Sequence, residues 1–213
     1  MLVAPSMLAA DFGNMATEVK NIEKWGADIV HADVMDGVYV PNITFGMPMI
    51  KAFRQNSTLP IDAHLMITKP EKYVGKFCDA GADIVTFHPD ASDDVQGALD
   101  IIKSKGKKCG LVVNADVDFD VVKPYLGQID MLVIMTVQAG FGGQSFMPQC
   151  LEKAKLGATE REKHGYKYLI EVDGGVSEKN IALLKEAGVD IAVAGSSVFK
   201  SDNPQKTIES LHI

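Results

Sequence analysis

Short apolar, β-branched runs alternate along the chain with longer segments whose apolar residues recur at three- and four-residue spacing. The runs fall at 3–6, 28–34, 61–65, 83–88, 108–114, 131–137, 168–173 and 191–195. They are mostly continuous rather than alternating, which fits strands covered on both faces of a parallel sheet. The intervening stretches, among them 15–25, 69–80 and 178–187, read as helices. The pattern predicts eight strands and eight helical stretches with no linker between them, as a single domain over residues 1–213.

A weak repeat supports this reading. Trp25-Gly26-Ala27-Asp28, Ala80-Gly81-Ala82-Asp83 and Ala187-Gly188-Val189-Asp190 each close a helical stretch and open an apolar run. Leu126-Gly127-Gln128-Ile129-Asp130 is a degenerate fourth copy. Glycine ends a helix by taking the left-handed conformation. Eight βα units in 213 residues fit an α/β fold closed as a (β/α)8 TIM barrel better than an open doubly wound sheet. Periodicity alone does not decide closure.

Composition narrows the function. Hydrophobic residues make up 46% and charged residues 23%, which excludes a disordered chain. A net charge of −7 argues against a nucleic-acid surface, and the densest basic stretch, 103–108, reads as a solvated helix end. No apolar run approaches the ~18 residues that would span a bilayer. The opening residues lack the pattern of a signal peptide. Cys78, Cys109 and Cys150 are far apart and odd in number, which fits a reducing cytoplasm better than a disulfide framework. The expectation is a soluble, cytoplasmic protein without nucleic-acid or membrane partners.

Barrel chemistry gathers at the C-terminal ends of the strands. There the chain has Ser6, then His31 and Asp33, His64, His88, Asn114, Met135-Thr136, Asp173 and Gly195-Ser196. His31 and Asp33 are two apart, so their side chains share one face. If that face is the barrel interior, they meet His64 and Asp173 from other strands. Two imidazoles and two carboxylates make a mixed site for one divalent metal ion, Zn, Fe(II), Mn or Co. A lone buried histidine is more often satisfied by a backbone carbonyl, but unpaired aspartates inside a barrel are very costly. Glu171 shares the face of Asp173 and either pairs inside the barrel or supports a ligand. Asp36 belongs to the loop after the second strand, where it could orient His31.

Glycine loops follow the last three runs: Gly140-Phe141-Gly142-Gly143, Gly174-Gly175 and Gly195-Ser196-Ser197. Bare backbone N–H groups next to helix starts can cradle an anion, and barrels commonly bind phosphate after strands seven and eight. Three unrelated tight turns are the plainer alternative. The first loop is not the G-x-G-x-x-G string of a dinucleotide site.

Ser6-Met7-Leu8-Ala9-Ala10-Asp11-Phe12, His31-Ala32-Asp33-Val34-Met35-Asp36-Gly37 and Val40-Pro41-Asn42 resemble the ribulose-phosphate 3-epimerase family. So do Asp62-Ala63-His64-Leu65-Met66, Met135-Thr136-Val137, Gly140-Phe141-Gly142-Gly143-Gln144 and Val172-Asp173-Gly174-Gly175. These strings follow family order over nearly the whole chain. The resemblance implies a ribulose-phosphate-binding barrel with a metal on His31, Asp33, His64 and Asp173, and the two aspartates as acid and base. It implies substrate contacts from Ser6, His64, Gly142, Gly143, Asp173, Gly174, Gly175, Gly195 and Ser196, the last loops holding phosphate. Met35, Met66 and Met135 match the family's methionines around the reacting carbons, although ordinary core packing would also explain them. Family members are cytosolic and usually homo-oligomers.

The chain departs from the family at Gln138-Ala139, where Asn-Pro or Asp-Pro is usual, and a loop without that proline is expected to be freer. It also departs at Asn114-Ala115-Asp116-Val117, at Asp90 in place of Glu, and at Ala32. None of these is a proposed ligand. The expected activity is metal-dependent 3-epimerisation of D-ribulose 5-phosphate to D-xylulose 5-phosphate, a step of the pentose phosphate pathway. The alternatives are a hexulose phosphate such as D-allulose 6-phosphate, a non-catalytic phosphosugar-binding barrel, and a metal-free isomerase on a phosphate-binding barrel.

Overall fold

In the computed structural model, which describes residues 1–213, eight parallel strands form one sheet. They are β1 (Leu2–Pro5), β2 (Val30–Met35), β3 (Ile61–Met66), β4 (Ile84–Phe87), β5 (Lys108–Val113), β6 (Met131–Met135), β7 (Leu169–Asp173) and β8 (Ile191–Ala194). Each pairs with its neighbour in chain order from β2 to β8, and β8 pairs with β1. The ring closes between β1 and β2, where the Asp28 N–H donates to the Val3 carbonyl at 3.0 Å and a parallel bridge joins Ser6 to His31. The open-sheet alternative is therefore excluded.

Around the sheet run α1 (Met15–Lys24), α2 (Met47–Asn56), α3 (Val74–Ala80), α4 (Val95–Ser104), α5 (Leu151–His164), α6 (Ile181–Glu186), α7 (Ser196–Phe199) and α8 (Pro204–Leu211). Eight helices are present, but not one per strand. Two follow β8, and β5 connects to β6 through 3-10 turns at Phe119–Val121 and Lys123–Tyr125. Pro124 removes a backbone donor there, and the Asp118 side chain caps a single turn, so no α-helix develops. The helix expected over 69–80 starts only at Val74, because Pro70–Lys72 close as a 3-10 turn entered from a left-handed Lys69.

The repeated aspartate has a structural use that spacing did not reveal. Asp28, Asp83, Asp130 and Asp190 each donate their backbone N–H to the carbonyl of Val3, Ile61, Cys109 and Ile170 respectively, at 2.8–3.0 Å. Each carboxylate then accepts the N–H of that same residue, at 2.8–3.1 Å. The residues clamped lie on β1, β3, β5 and β7, so every odd strand is tied at its base to the approach of the next even one. Gly26, Gly81 and Gly188 have positive φ, as helix-ending glycines require, whereas Gly127, which follows no α-helix, does not.

The outer faces of the strands bury a core of 51 residues against the helices. The lumen is divided. Its floor and its β5, β6 and β8 walls are apolar, including Ile29, Ile84, Val112, Met131, Val133 and Ile191. Its polar groups lie on the remaining strands and at their C-terminal ends. No helix is long and apolar enough to cross a membrane.

Candidate functional site

Three strands place polar residues two apart, so that both members of each pair enter the lumen: His31 and Asp33 on β2, Asp62 and His64 on β3, Glu171 and Asp173 on β7. Register aligns Asp33 with His64, His31 with Asp62 and Met35 with Met66. Between β6 and β7 it aligns Met135 with Asp173. All six polar side chains are buried.

The four ligand candidates converge. One donor atom from each of His31, Asp33, His64 and Asp173 lies within 4.8 Å of the others. His31 Nε2 is 3.4 Å from Asp33 Oδ1 and 3.7 Å from Asp173 Oδ2. His64 Nδ1 is 3.4 Å from Asp173 Oδ2 and 3.8 Å from Asp33 Oδ1. These separations are long for hydrogen bonds, and both imidazole nitrogens are buried without a partner. They match the spacing of tetrahedral ligands around a divalent transition metal, about 3.4 Å for bonds of about 2.1 Å. The donor set therefore fits one divalent cation.

Electrostatics agree. Burial disfavours a charge on His31, yet Asp33, Asp173 and Asp62 outweigh it and hold its pKa well above the usual histidine range. Burial also opposes ionisation of Asp173, but His31 and His64 keep its carboxyl well below the usual carboxylate range. The carboxylates around His31 thus favour a positive charge at that position.

A second layer lies behind the first. His31 Nδ1 is 2.9 Å from Asp62 Oδ2 and 3.4 Å from Glu171 Oε1. Burial and the nearby Asp62 push the Glu171 carboxyl up, to about 8. His64 Nε2 lies 3.0 Å from Nε2 of His88, whose ring is nearly coplanar with it at 24°. Burial and His64 hold the pKa of His88 well below the usual histidine range. Asp62 was missed as a site residue, although the two-residue spacing that selected His31 with Asp33 also links it to His64. His88 was visible at a strand end but had no partner there. Asp36 does not orient His31: its carboxylate accepts from the N–H groups of Val38, Tyr39 and Thr68 and from the Thr68 hydroxyl, joining the loops after β2 and β3.

Above the cluster a cavity opens at the C-terminal ends of the strands. Asp33, Asp173, Ser6, Gly142, Gly143, Gly174, Gly175, Gly195 and Ser196 line it with all three methionines, Met35, Met66 and Met135. His31 and His64 lie beneath it, with no exposed surface. Of the three glycine loops only Gly195-Ser196 opens directly onto a helix, since α5 begins well after Gly143 and α6 after Gly175. Close packing explains two of the glycines: a Cβ on Gly174 would lie 2.8 Å from Val137 N, and one on Gly175 2.6 Å from Phe146 N. The loop after β6, which lacks the family's proline, is held by Gln144 Nε2, donating to the carbonyls of Gln138 and Phe141, and by Asn42, donating to Gly140.

The chain is also similar to known proteins. Residues 2–199 match the model of the ribulose-phosphate 3 epimerase family. The chain is 42% identical to a ribulose-phosphate 3-epimerase of Bacillus subtilis strain 168, over 98% of this chain and 97% of that protein. It is 41% identical to one of Escherichia coli strain K12, over 99% and 94%. Among solved structures, KGPDC from Streptococcus mutans in complex with D-R5P superimposes with a TM-score of 0.77 at 15% identity, over 98% of this chain and 94% of that one, a likeness of fold. With a family match spanning every strand and full-length relatives above 40% identity, this chain belongs to the ribulose-phosphate 3-epimerase family.

Proposed function

We propose that this protein is an isomerase that inverts C3 of a ketose phosphate, interconverting D-ribulose 5-phosphate and D-xylulose 5-phosphate. The observation that carries the reading is the meeting of Asp33 from β2 and Asp173 from β7 in one cavity whose rim is made of glycine loops. Relatives named ribulose-phosphate 3-epimerase support the reaction.

Epimerisation next to a ketone needs a base to remove a weakly acidic C–H proton and an acid to return one on the opposite face. Asp33 and Asp173 approach from different sides of the lumen, so each can serve one face of a flat, deprotonated carbon. Their roles exchange with the direction of reaction. Ser6 donates to Asp33 Oδ2 at 2.5 Å, leaving Oδ1 turned toward the histidines. Met35, Met66 and Met135 bring apolar, polarizable thioethers to the cavity, excluding water without donating competing hydrogen bonds. Gly174, Gly175, Gly195 and Ser196 would offer backbone N–H groups to the phosphate, with Gly142 and Gly143 contacting the substrate.

His31, Asp33, His64 and Asp173 would hold one divalent ion, Zn, Fe(II), Mn or Co. When bound, it supplies positive charge that stabilises negative charge on the substrate's ketone and neighbouring hydroxyl oxygens. The reading includes a homo-oligomer working in the cytoplasm, in pentose phosphate metabolism, and three buried, free cysteines accord with a reducing compartment.

Incubation with D-ribulose 5-phosphate in deuterated water tests the reaction. Deuterium entering C3 with formation of D-xylulose 5-phosphate is expected, and a non-catalytic binder would exchange none. Parallel assays on D-allulose 6-phosphate test chain length, where a larger kcat/KM on the hexulose would replace the pentulose as substrate.

A further inference from the structure

We infer that His88 is a positioning residue: it accepts the proton of His64 Nε2 and thereby keeps Nδ1 of His64 free to bind the cation. The inference rests on the metal site proposed above and names a side chain outside its four ligands.

The argument is one of proton placement. His64 presents Nδ1 to Asp33 and Asp173, at 3.8 and 3.4 Å, and Nε2 to His88 Nε2 at 3.0 Å. Two nitrogens at that separation share one proton. If His88 supplies it, the single proton of neutral His64 moves to Nδ1, pointing at the two aspartates, and that nitrogen cannot bind a metal. If His64 supplies it, Nδ1 carries a lone pair aimed into the cluster. A ligating imidazole needs an acceptor on its other nitrogen to fix this tautomer. Neither ring has any exposed surface, and His88 Nε2 itself occupies the position next to His64 Nε2.

The acceptor is itself held in place. Its ring meets that of His64 edge to edge, with centroids 5.1 Å apart and planes 24° apart, and Tyr39 covers it with centroids 5.0 Å apart. The Tyr39 hydroxyl donates to Asp90 Oδ2 at 3.0 Å and accepts from Asn114 Nδ2 at 2.6 Å, tying the loops after β2, β4 and β5 together over His88. The two ligating histidines are thus backed differently. His31 faces the carboxyl groups of Asp62 and Glu171. His64 faces an imidazole, which orients without adding a further negative charge to a site that already has two aspartates.

The test compares wild type, His88→Gln and His88→Leu, each stripped of metal and titrated with Zn(II) against a chromophoric chelator, with the melting temperature of each metal-free protein recorded. Glutamine can present an amide oxygen near the position of Nε2, whereas leucine presents no acceptor. His88→Leu is expected to weaken Zn(II) binding about 10- to 100-fold, with the metal-free melting temperature little changed and His88→Gln recovering most of the affinity. Long-range 1H–15N spectra of the zinc-loaded wild type should place a proton on Nε2 of His64 and on Nδ1 of His88. Wild-type affinity in His88→Leu, equal losses in both variants, or a proton on Nδ1 of His64 would overturn the role of His88. If the variants do not fold, the wild-type spectrum decides alone. A wild type that binds no Zn(II) defeats the metal site itself, which separates the two failures.

Discussion

The Ser6 hydroxyl donates to Asp33 Oδ2 at 2.5 Å, across the seam where β1 closes against β2. The Asp173 carboxylate has no hydroxyl partner, and its Oδ2 faces the nitrogens of His31 and His64 instead. The two carboxylates that share the cavity therefore differ in surroundings. Asp33 is fixed by a neutral donor that also accepts from the Leu8 N–H, and Asp173 by the imidazoles alone. Ser6 thus both bridges the last strand gap and orients Asp33.

Replacing either aspartate removes one arm of the proton transfer. Asp33→Asn and Asp173→Asn are each expected to lower kcat by at least ~10², the usual size of an acid or base contribution, while inorganic phosphate still binds. Steady-state assays with phosphate titration check this. Near-native turnover in either variant would remove the two-acid scheme.

Removing a histidine should empty the metal site. His31→Ala and His64→Ala are expected to lower divalent metal content below that of wild type, measured by elemental analysis after gel filtration. Because each imidazole is buried beside carboxylates, deleting it leaves like charges facing one another. Metal stoichiometry equal to wild type would count against the site.

The phosphate cradle can be tested by steric intrusion with a matched control. Gly175 has φ +67, and a Cβ there would lie 2.6 Å from Phe146 N in the loop after β6. Gly165 has the same φ but nothing within 4 Å. Both alanine variants suffer left-handed strain of roughly 1–2 kcal/mol. Only Gly175→Ala is expected to raise KM, by about tenfold, equivalent to about 1.4 kcal/mol of binding. Equal KM values in the two variants would show that the cradle does not depend on this close approach.

The repeated aspartate clamps should matter for stability. Asp130→Ala leaves the N–H of fully buried Cys109 without its carboxylate acceptor. The expected cost is about 1–3 kcal/mol, the penalty of an unsatisfied buried donor. Asp130→Asn, which keeps an oxygen in place, should cost less. Urea denaturation distinguishes them, and an alanine variant as stable as wild type would deny the clamp a role.

Asp36 predicts a pH dependence. Burial works to raise its pKa, but the N–H groups of Thr68 and Val38 and the Thr68 hydroxyl outweigh it and hold the carboxyl below its usual 3.8. A carboxyl depressed in the folded state contributes stability above its unfolded pKa and loses it as pH falls through the folded value. The stability difference between wild type and Asp36→Asn should therefore be constant at neutral pH and shrink as pH falls below 3.8. Urea midpoints measured from pH 7 to pH 3 check this, and a gap that does not narrow would refute it.

Much of the site was legible along the chain because a strand has a period of two. His31 with Asp33, and Glu171 with Asp173, share a face wherever the strand lies, and continuous apolar runs mark strands covered on both sides. The glycine loops were legible as backbone that approaches something closely, but not as neighbours of Val137 and Phe146, because that contact joins loops far apart in sequence. The helix expected between β5 and β6 was misread, since Pro124 sits inside a stretch whose apolar spacing alone looks helical.

The sequence by itself determined the alternation of strands and helices, the inward pairs on β2 and β7, and the four candidate ligands for a cation. Tertiary structure decided closure through Ser6 and His31, the backing of His31 by Asp62 and Glu171, and the contact between His64 and His88. The division has a physical reason. Local periodicity decides which face a side chain takes, whereas the register between strands and the curvature of the ring decide which nitrogen meets which oxygen.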